Sequence, residues 1–310
     1  MDYKTKIDAQ TWAFIEKTAQ FYPPETAGFP IAEQRRIYDD MCKSFYAGRP
    51  DGLDVETTNM NGVPVRIYTA CDSAHHESGV TIVYIHGGGF VVGGLDSHDD
   101  ICAEISHHTK RRVLAIDYRL SPEHKHPAAF DDVVTAINSI AARYQTPLVL
   151  IGDSAGANLG AAASGALRGD DIAIIGQVLI YPALGGDMDQ GSYLTHANAP
   201  MLSREDVEFY HKIRGATHET DPTFAPLKAD NFSNLPPSVV ISAECDPLCD
   251  DGRNYCDKLK SDGNKAHWIC EAGLVHGYLR ARNSVDRANE SFERIIHAAQ
   301  SLANQEWPYG

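Results

Sequence analysis

Six short apolar runs punctuate the chain: VTIVYI (80–85), RVLAIDY (112–118), LVLI (148–151), GQVLIY (176–181), PSVVISA (237–243) and AHWICEA (266–272). Several are nearly continuous rather than alternating, the pattern of strands covered on both faces. Helical spacing lies between them. Phe130, Val133, Val134, Ile137 and Ile140 recur at three- and four-residue steps, and Val285, Phe292, Ile295, Ile296 and Leu302 mark a similar face. Strand alternating with helix predicts an α/β protein, a mostly parallel sheet with helices on both faces. Ahead of it, LDVETTNM and VPVRIYTA flank Asn61-Gly62, the signature of a tight hairpin. An antiparallel hairpin therefore leads into a sheet of about eight strands. Residues 8–21 and 31–48 read as two polar-faced helices, broken by YPPETAGFP.

One segment interrupts the rhythm. Residues 184–235 contain no convincing strand, only the helix SREDVEFYHKIRG, with Ser203 as its N-cap and Glu205 and Asp206 placing negative charge in its first turn. An insertion of this length after a strand's C-terminal end lies over the sheet edge where ligands bind.

Bulk properties narrow the choices. The 310 residues, 43% apolar, suit one large α/β domain with elaborations. A net charge of −15 argues against nucleic acid and anionic membrane surfaces as partners. No apolar run approaches the roughly 18 residues of a membrane span, and the N-terminus has no signal-type apolar stretch. Seven cysteines without a Cys-x-x-Cys pair suit a reduced, cytoplasmic protein.

Candidate chemistry gathers at the strand ends. Gly152-Asp153-Ser154-Ala155-Gly156 fits Gly-x-Ser-x-Gly, a sharp strand-to-helix turn that lifts a serine hydroxyl into the open. The small residues that follow let a helix lie close to the sheet and aim its N-terminus at the serine. A second loop, HGGGF, holds three consecutive glycines at 87–89. Its readings are an oxyanion hole, a phosphate cradle or a plain flexible loop. Val92 stands where a dinucleotide fingerprint needs its third glycine, and no Gly-Lys-Ser/Thr follows, so the oxyanion loop fits best. A serine nucleophile needs a base, and the base an orienting acid. Asp246 follows the strand at 237–243 and His276 the strand at 266–272, both on the sheet edge that carries Ser154. Glu244 and Asp250 are rival acids, and the Asp-Pro-Leu setting favours Asp246.

HGGGF, DYRLSPEHKHPAAFDD, GDSAG, DPLCDDG and VHGY together resemble the hormone-sensitive-lipase branch of the α/β-hydrolases, with its bacterial acetyl-esterase-like enzymes. The likeness runs from about residue 50 onward. It implies Ser154 as nucleophile, His276 as general base and acid, Asp246 as its orienter, and the N–H groups of Gly88, Gly89 and Ala155 as the oxyanion hole. It further implies an α/β-hydrolase catalytic domain over 49–310, capped by residues 1–48 and an insertion at about 185–225. Ala157 and Cys249 depart from the family, which often has glycine and arginine there.

The expectation is therefore a carboxylic ester hydrolase acting on small soluble short-acyl esters, with no cofactor or metal. An amidase or peptidase on the same triad, or a receptor of the same fold, are the alternatives, and a homodimer is left open. His75-His76, His107-His108 and His124-x-His126 lack His-Glu-x-x-His spacing and read as surface histidines. His86 reads as a brace for the glycine loop and Asp153 as structural. Tyr118, Arg119 and the Ser121-Pro122-Glu123 turn read as supports of the sheet edge.

Overall fold

The computed structural model describes residues 1–23, 25–71, 79–215 and 220–309. Strands β1 (Leu53–Met60) and β2 (Val63–Ala70) form the expected hairpin about Asn61-Gly62, with Met60 paired to Val63. Strands β3 (Thr81–Ile85), β4 (Val113–Ile116), β5 (Leu148–Asp153), β6 (Ile174–Ile180), β7 (Ser238–Cys245) and β8 (Ala266–Val275) complete one sheet in the order β1-β2-β4-β3-β5-β6-β7-β8. The β1/β2 and β2/β4 pairs are antiparallel, and every pair from β4 to β8 is parallel.

Period-two alternation divides the core. On β3, Ile82 and Tyr84 face one layer while Val83 and Ile85 face the other, and on β5 Val149 and Ile151 oppose Leu148 and Leu150. The first layer is completed by α3 (Asp99–Thr109) and α9 (Asp286–Ala303). The second is completed by α4 (Ala128–Tyr144) and α5 (Ala155–Ala166), with α8 (Cys249–Ser261) beyond them. Every central strand is buried on both faces, which is why its sequence runs apolar without alternating.

The elements outside the sheet are α1 (Ala9–Ala19), α2 (Ile31–Phe45), α6 (Gly191–Thr195) and α7 (Arg204–Arg214). Ser203 caps α7 in a reciprocal box with Asp206. Helix α2 ends at Phe45, three residues short of the expected 48, because Tyr46 is extended and its hydroxyl reaches Asp99 at 3.2 Å. Strand β4 stops at Ile116 because Tyr118 turns inward to donate to the His86 carbonyl at 2.8 Å. Helix α6, at five residues, is too short to show a period and is held by Ser192, which bonds to Pro247 and Asp250.

Arg282, after β8, is almost wholly buried and bridges Asp100 at 2.7 Å and Glu104 at 2.6 Å on α3. Removing one partner of such a network leaves charge stranded in the interior. Arg282→Met should lower unfolding free energy by about 3–5 kcal/mol in urea denaturation. A loss below about 1 kcal/mol would show that the bridge does not hold α3 to the C-terminal layer.

Candidate active site

Chain order and sheet order disagree at one point. The chain leaves β3 outward to β4, then crosses back to place β5 on the other side of β3. The loops after β3 and β5 therefore leave in opposite directions and open a crevice between them, the place where open α/β sheets bind ligands. HGGGF follows β3 and Ser154 follows β5, so the sheet topology sets the two motifs side by side.

Ser154 has φ 53° and ψ −115°, a conformation L residues seldom adopt. The elbow is possible only because its flanking glycines lack side chains. A Cβ on Gly156 would lie 1.9 Å from the Ile85 carbonyl oxygen, and one on Gly152 would lie 2.6 Å from the Gly156 carbonyl. Helix α5 begins at Ala155, so its first N–H groups and its positive end face the serine.

In the glycine loop Gly88 has φ +122°, and a Cβ there would stand 2.1 Å from the Val92 carbonyl oxygen. The Gly88 carbonyl accepts from the N–H groups of Val91 and Val92, both at 3.0 Å, which curls the loop. Among the described residues, no acceptor within the chain takes up the N–H groups of Gly88, Gly89 or Ala155. All three residues line the cavity beside Ser154.

His276 joins the two other predicted residues. Its Nε2 lies 2.9 Å from Ser154 Oγ and its Nδ1 lies 2.7 Å from Asp246 Oδ2. Asp246 is fully buried, and its other oxygen accepts the Leu248 N–H at 2.8 Å. The rival acids are engaged elsewhere. Glu244 takes Lys6 and the Gly273 N–H, while Asp250 takes Arg253 and the Ser192 N–H.

A cavity of about 1070 Å³ opens above Ser154 and His276. Its walls include Thr18 from α1, Tyr38 and Met41 from α2, and Asp206, Val207 and Tyr210 from α7. Arg35 fastens α2 by donating to the Val91 and Ser121 carbonyls and forking onto Glu123. Arg214 fastens α7: its guanidinium lies between the Phe90 and Phe224 rings and donates to Asn158 Oδ1 and the Phe224 carbonyl. Tyr181, at the end of β6, places its ring 4.7 Å from that of His276. None of Tyr38, Tyr181, Tyr210 or Arg214 stood out in the sequence, because only tertiary folding brings them to the serine. Arg280 carried one signal, its place four residues after His276.

The supporting residues resolve in detail. His86 Nδ1 donates to the Gly87 carbonyl at 2.8 Å and its ring stacks on Tyr118, bracing the glycine loop as expected. Burial, with the neighbouring His98, pushes its pKa down to about 4, so the ring is neutral. Arg119 pairs with Asp132 at 2.7 Å beside the sheet edge, whereas Glu123 reaches across to α2. Cys249 is buried, its Sγ 3.7 Å from that of Cys270, and Ala157 packs in the second layer. His75 and His76 lie outside the described residues. His108 and His124 are exposed, while His126 is buried 3.5 Å from Asp221. Among the described residues no three His, Cys, Asp or Glu side chains are grouped to hold a metal ion.

A family model described as alpha/beta hydrolase fold matches residues 82–280. The chain belongs to the hormone-sensitive-lipase-like α/β-hydrolases. An ethyl acetate hydrolase of Pseudomonas putida is 28% identical to this hydrolase over 86% of the chain and 89% of its own length. Carboxylesterase NlhH of Mycobacterium tuberculosis is 31% identical over 77% and 80%. Among solved structures, the hyperthermophilic esterase of the archaeon Pyrobaculum calidifontis matches with a TM-score of 0.87 at 28% identity, covering 96% of this chain and 99% of that one. This α/β-hydrolase is a serine carboxylesterase. Among the described residues it has no helix long and apolar enough to cross a membrane.

Asp153 turns away from the reaction, beneath the glycine loop. Burial pushes its carboxyl up, but His98 at 3.3 Å, the Arg280 charge and the hydroxyl of Tyr84 more than offset this and hold it below the usual carboxylate range. The Gly87 N–H, at 2.9 Å, binds the same oxygen as Tyr84. A depressed native pKa contributes stability that is present above the unfolded-state value and lost as pH falls through the native one. Asp153→Asn should therefore cost about 1–3 kcal/mol at pH 7, with the gap to wild type closing below about pH 4. Thermal unfolding of both proteins from pH 3 to 7 checks this, and a gap independent of pH would refute it.

Proposed function

We propose that this carboxylesterase cleaves small, soluble, short-acyl esters through an acyl-enzyme formed on Ser154. The observation that carries the reading is the continuous hydrogen-bonded line from Asp246 through His276 to Ser154, at 2.7 and 2.9 Å. Ser154 Oγ attacks the ester carbonyl while His276 Nε2 takes its proton. The negative charge that develops on the carbonyl oxygen is met by the N–H groups of Gly88, Gly89 and Ala155. His276 then returns the proton to the leaving alcohol oxygen. A water molecule, activated by the same ring, attacks the acyl-serine and releases the acid. Asp246 fixes the tautomer and orientation of the ring and stabilises it while it is charged.

Residues 1–48 and 185–225 act as the cap of the catalytic domain, which is supported by their share in the cavity walls. Every group in the reaction comes from one chain, so a single copy suffices. The charge of −15 supports an enzyme with no nucleic-acid or anionic-membrane partner, and the seven cysteines without a Cys-x-x-Cys pair support a cytoplasmic one.

Ser154→Ala should abolish ester turnover, and a fluorophosphonate should label one peptide, the one carrying Ser154. Asp246→Asn should cost orders of magnitude in kcat, while Glu244→Gln and Asp250→Asn cost far less. Label on another serine, or a larger loss from Asp250→Asn than from Asp246→Asn, would overturn the assignment.

Chain-length preference follows from the lining. The cavity is roomy, but Asp187, Glu205, Asp206 and Lys228 interrupt its apolar surface. Each added methylene is worth at most about 0.8 kcal/mol, and only where it meets apolar wall. On a p-nitrophenyl ester ladder from acetate to palmitate, kcat/KM should peak at roughly two to six acyl carbons. A maximum at about ten carbons or more, or a rate jump on emulsified triglyceride, would refute the preference.

A further inference from the structure

Arg280 is a cation on the cavity wall that the proposed reaction does not use. Arg280 lies deep in the protein yet half-exposed to the cavity. Its Nη2 donates to the Tyr38 hydroxyl and its Nε lies 3.1 Å from Cys42 Sγ, with the guanidinium 5.0 Å over the Tyr38 ring. Among the described residues no carboxylate comes within ion-pair distance of it. Of the other interior arginines, Arg282 has Asp100 and Glu104 and Arg66 has Asp99, while Arg214 spends its donors on Asn158 and the Phe224 carbonyl. Asp153 also lines the cavity and feels the Arg280 charge from beyond ion-pair distance, but its hydrogen bonds and ion pair go to Tyr84, Gly87 and His98. A guanidinium has five N–H donors, and the two contacts here leave Nη1 unspent.

Position gives this charge a direction. A Cβ on Gly277 would lie 3.8 Å from Arg280 Nη1, so the guanidinium stands beside the residue that follows His276. His276 delivers its proton to the leaving oxygen, and that side of the cavity therefore receives the alcohol portion of an ester. Tyr22 lines the same wall, close enough to feel the Arg280 charge. Tyr38 accepts from Arg280 and keeps its own proton to donate. Glu205 and Asp206 on α7, Asp187 before α6 and Lys228 also line the cavity.

We propose that Arg280 recognises a carboxylate on the alcohol portion of the substrate, so that the preferred esters are O-acyl derivatives of hydroxy acids. This rests on the reading of Ser154 and His276 given above. The guanidinium offers N–H donors to a carboxylate oxygen and Tyr38 adds its hydroxyl. Arg280 is thus a specificity-determining residue.

The test compares 4-acetoxybenzoate with its neutral isostere 4-acetoxybenzamide, and 3-acetoxypropanoate with 3-acetoxypropanamide. In Arg280→Gln the carboxylate-to-carboxamide ratio of kcat/KM should fall by about 10- to 100-fold, through KM, with Arg280→Lys restoring part of it. If Arg280 served only to tie α2 to the core, both members of each pair would suffer alike and the ratio would not move, which overturns the proposal. p-Nitrophenyl hydrogen succinate against its methyl ester places the carboxylate on the acyl side instead. A ratio that falls only for that pair overturns the assignment to the alcohol portion. If Arg280→Gln does not fold, inhibition of the wild type by 4-hydroxybenzoate and 4-hydroxybenzamide decides the matter, with the acid expected to bind at least tenfold tighter and equal binding overturning the proposal. Loss of p-nitrophenyl acetate turnover in Ser154→Ala tests the underlying mechanism separately.

Discussion

Everything at the active centre depends on two backbones touching. The turn after β5 presses against the end of β3 so closely that a single methyl group at residue 156 would reach the Ile85 carbonyl oxygen. That contact fixes the serine's turn relative to the glycine loop that follows β3. No flexible side chain intervenes to absorb error. The placement is backbone against backbone, set by parallel pairing of Ile85 with Gly152. Strain at Ser154 is tolerable because the surrounding layers leave the chain no other path.

Two buried carboxylates near the serine show how surroundings assign work. Asp246 has one backbone N–H on one oxygen and the imidazole of His276 on the other, and it faces the reacting group. Asp153, adjacent to the serine in sequence, points beneath the glycine loop and holds Gly87, Tyr84 and His98 together. In the proposed mechanism the first orients a ring that changes charge. The second keeps its charge, because it supports the loop expected to receive an oxyanion.

Much of this was legible in the sequence because it is written locally. Buried parallel strands announce themselves as short apolar runs, and a strand end is a fixed address on one edge of the sheet. That ground brought Asp246 and His276 to the edge that carries Ser154, while the choice of Asp246 over Glu244 and Asp250 needed its Asp-Pro-Leu setting as well. The boundaries were less legible: β4 and α2 both stop early because distant partners, the His86 carbonyl and Asp99, pull Tyr118 and Tyr46 away. Helix α6 left no trace because five residues show no period. The cavity walls were hidden for another reason. Tyr210, Arg214 and Tyr181 are unremarkable in their own segments and acquire meaning only from what α7 and β6 are packed against.

The order in which the site's parts occur along the chain has a consequence for biosynthesis. The glycine loop and the serine belong to β3 and β5, but the acid and the base follow β7 and β8. A nascent polypeptide emerging from the ribosome could shape the elbow early and would still lack both groups that activate the serine. Strand β8 must also be roofed by α9, which follows His276, before its layer is sealed from water. In the proposed mechanism, hydrolytic competence therefore waits until β8 and α9 have been added to the elbow.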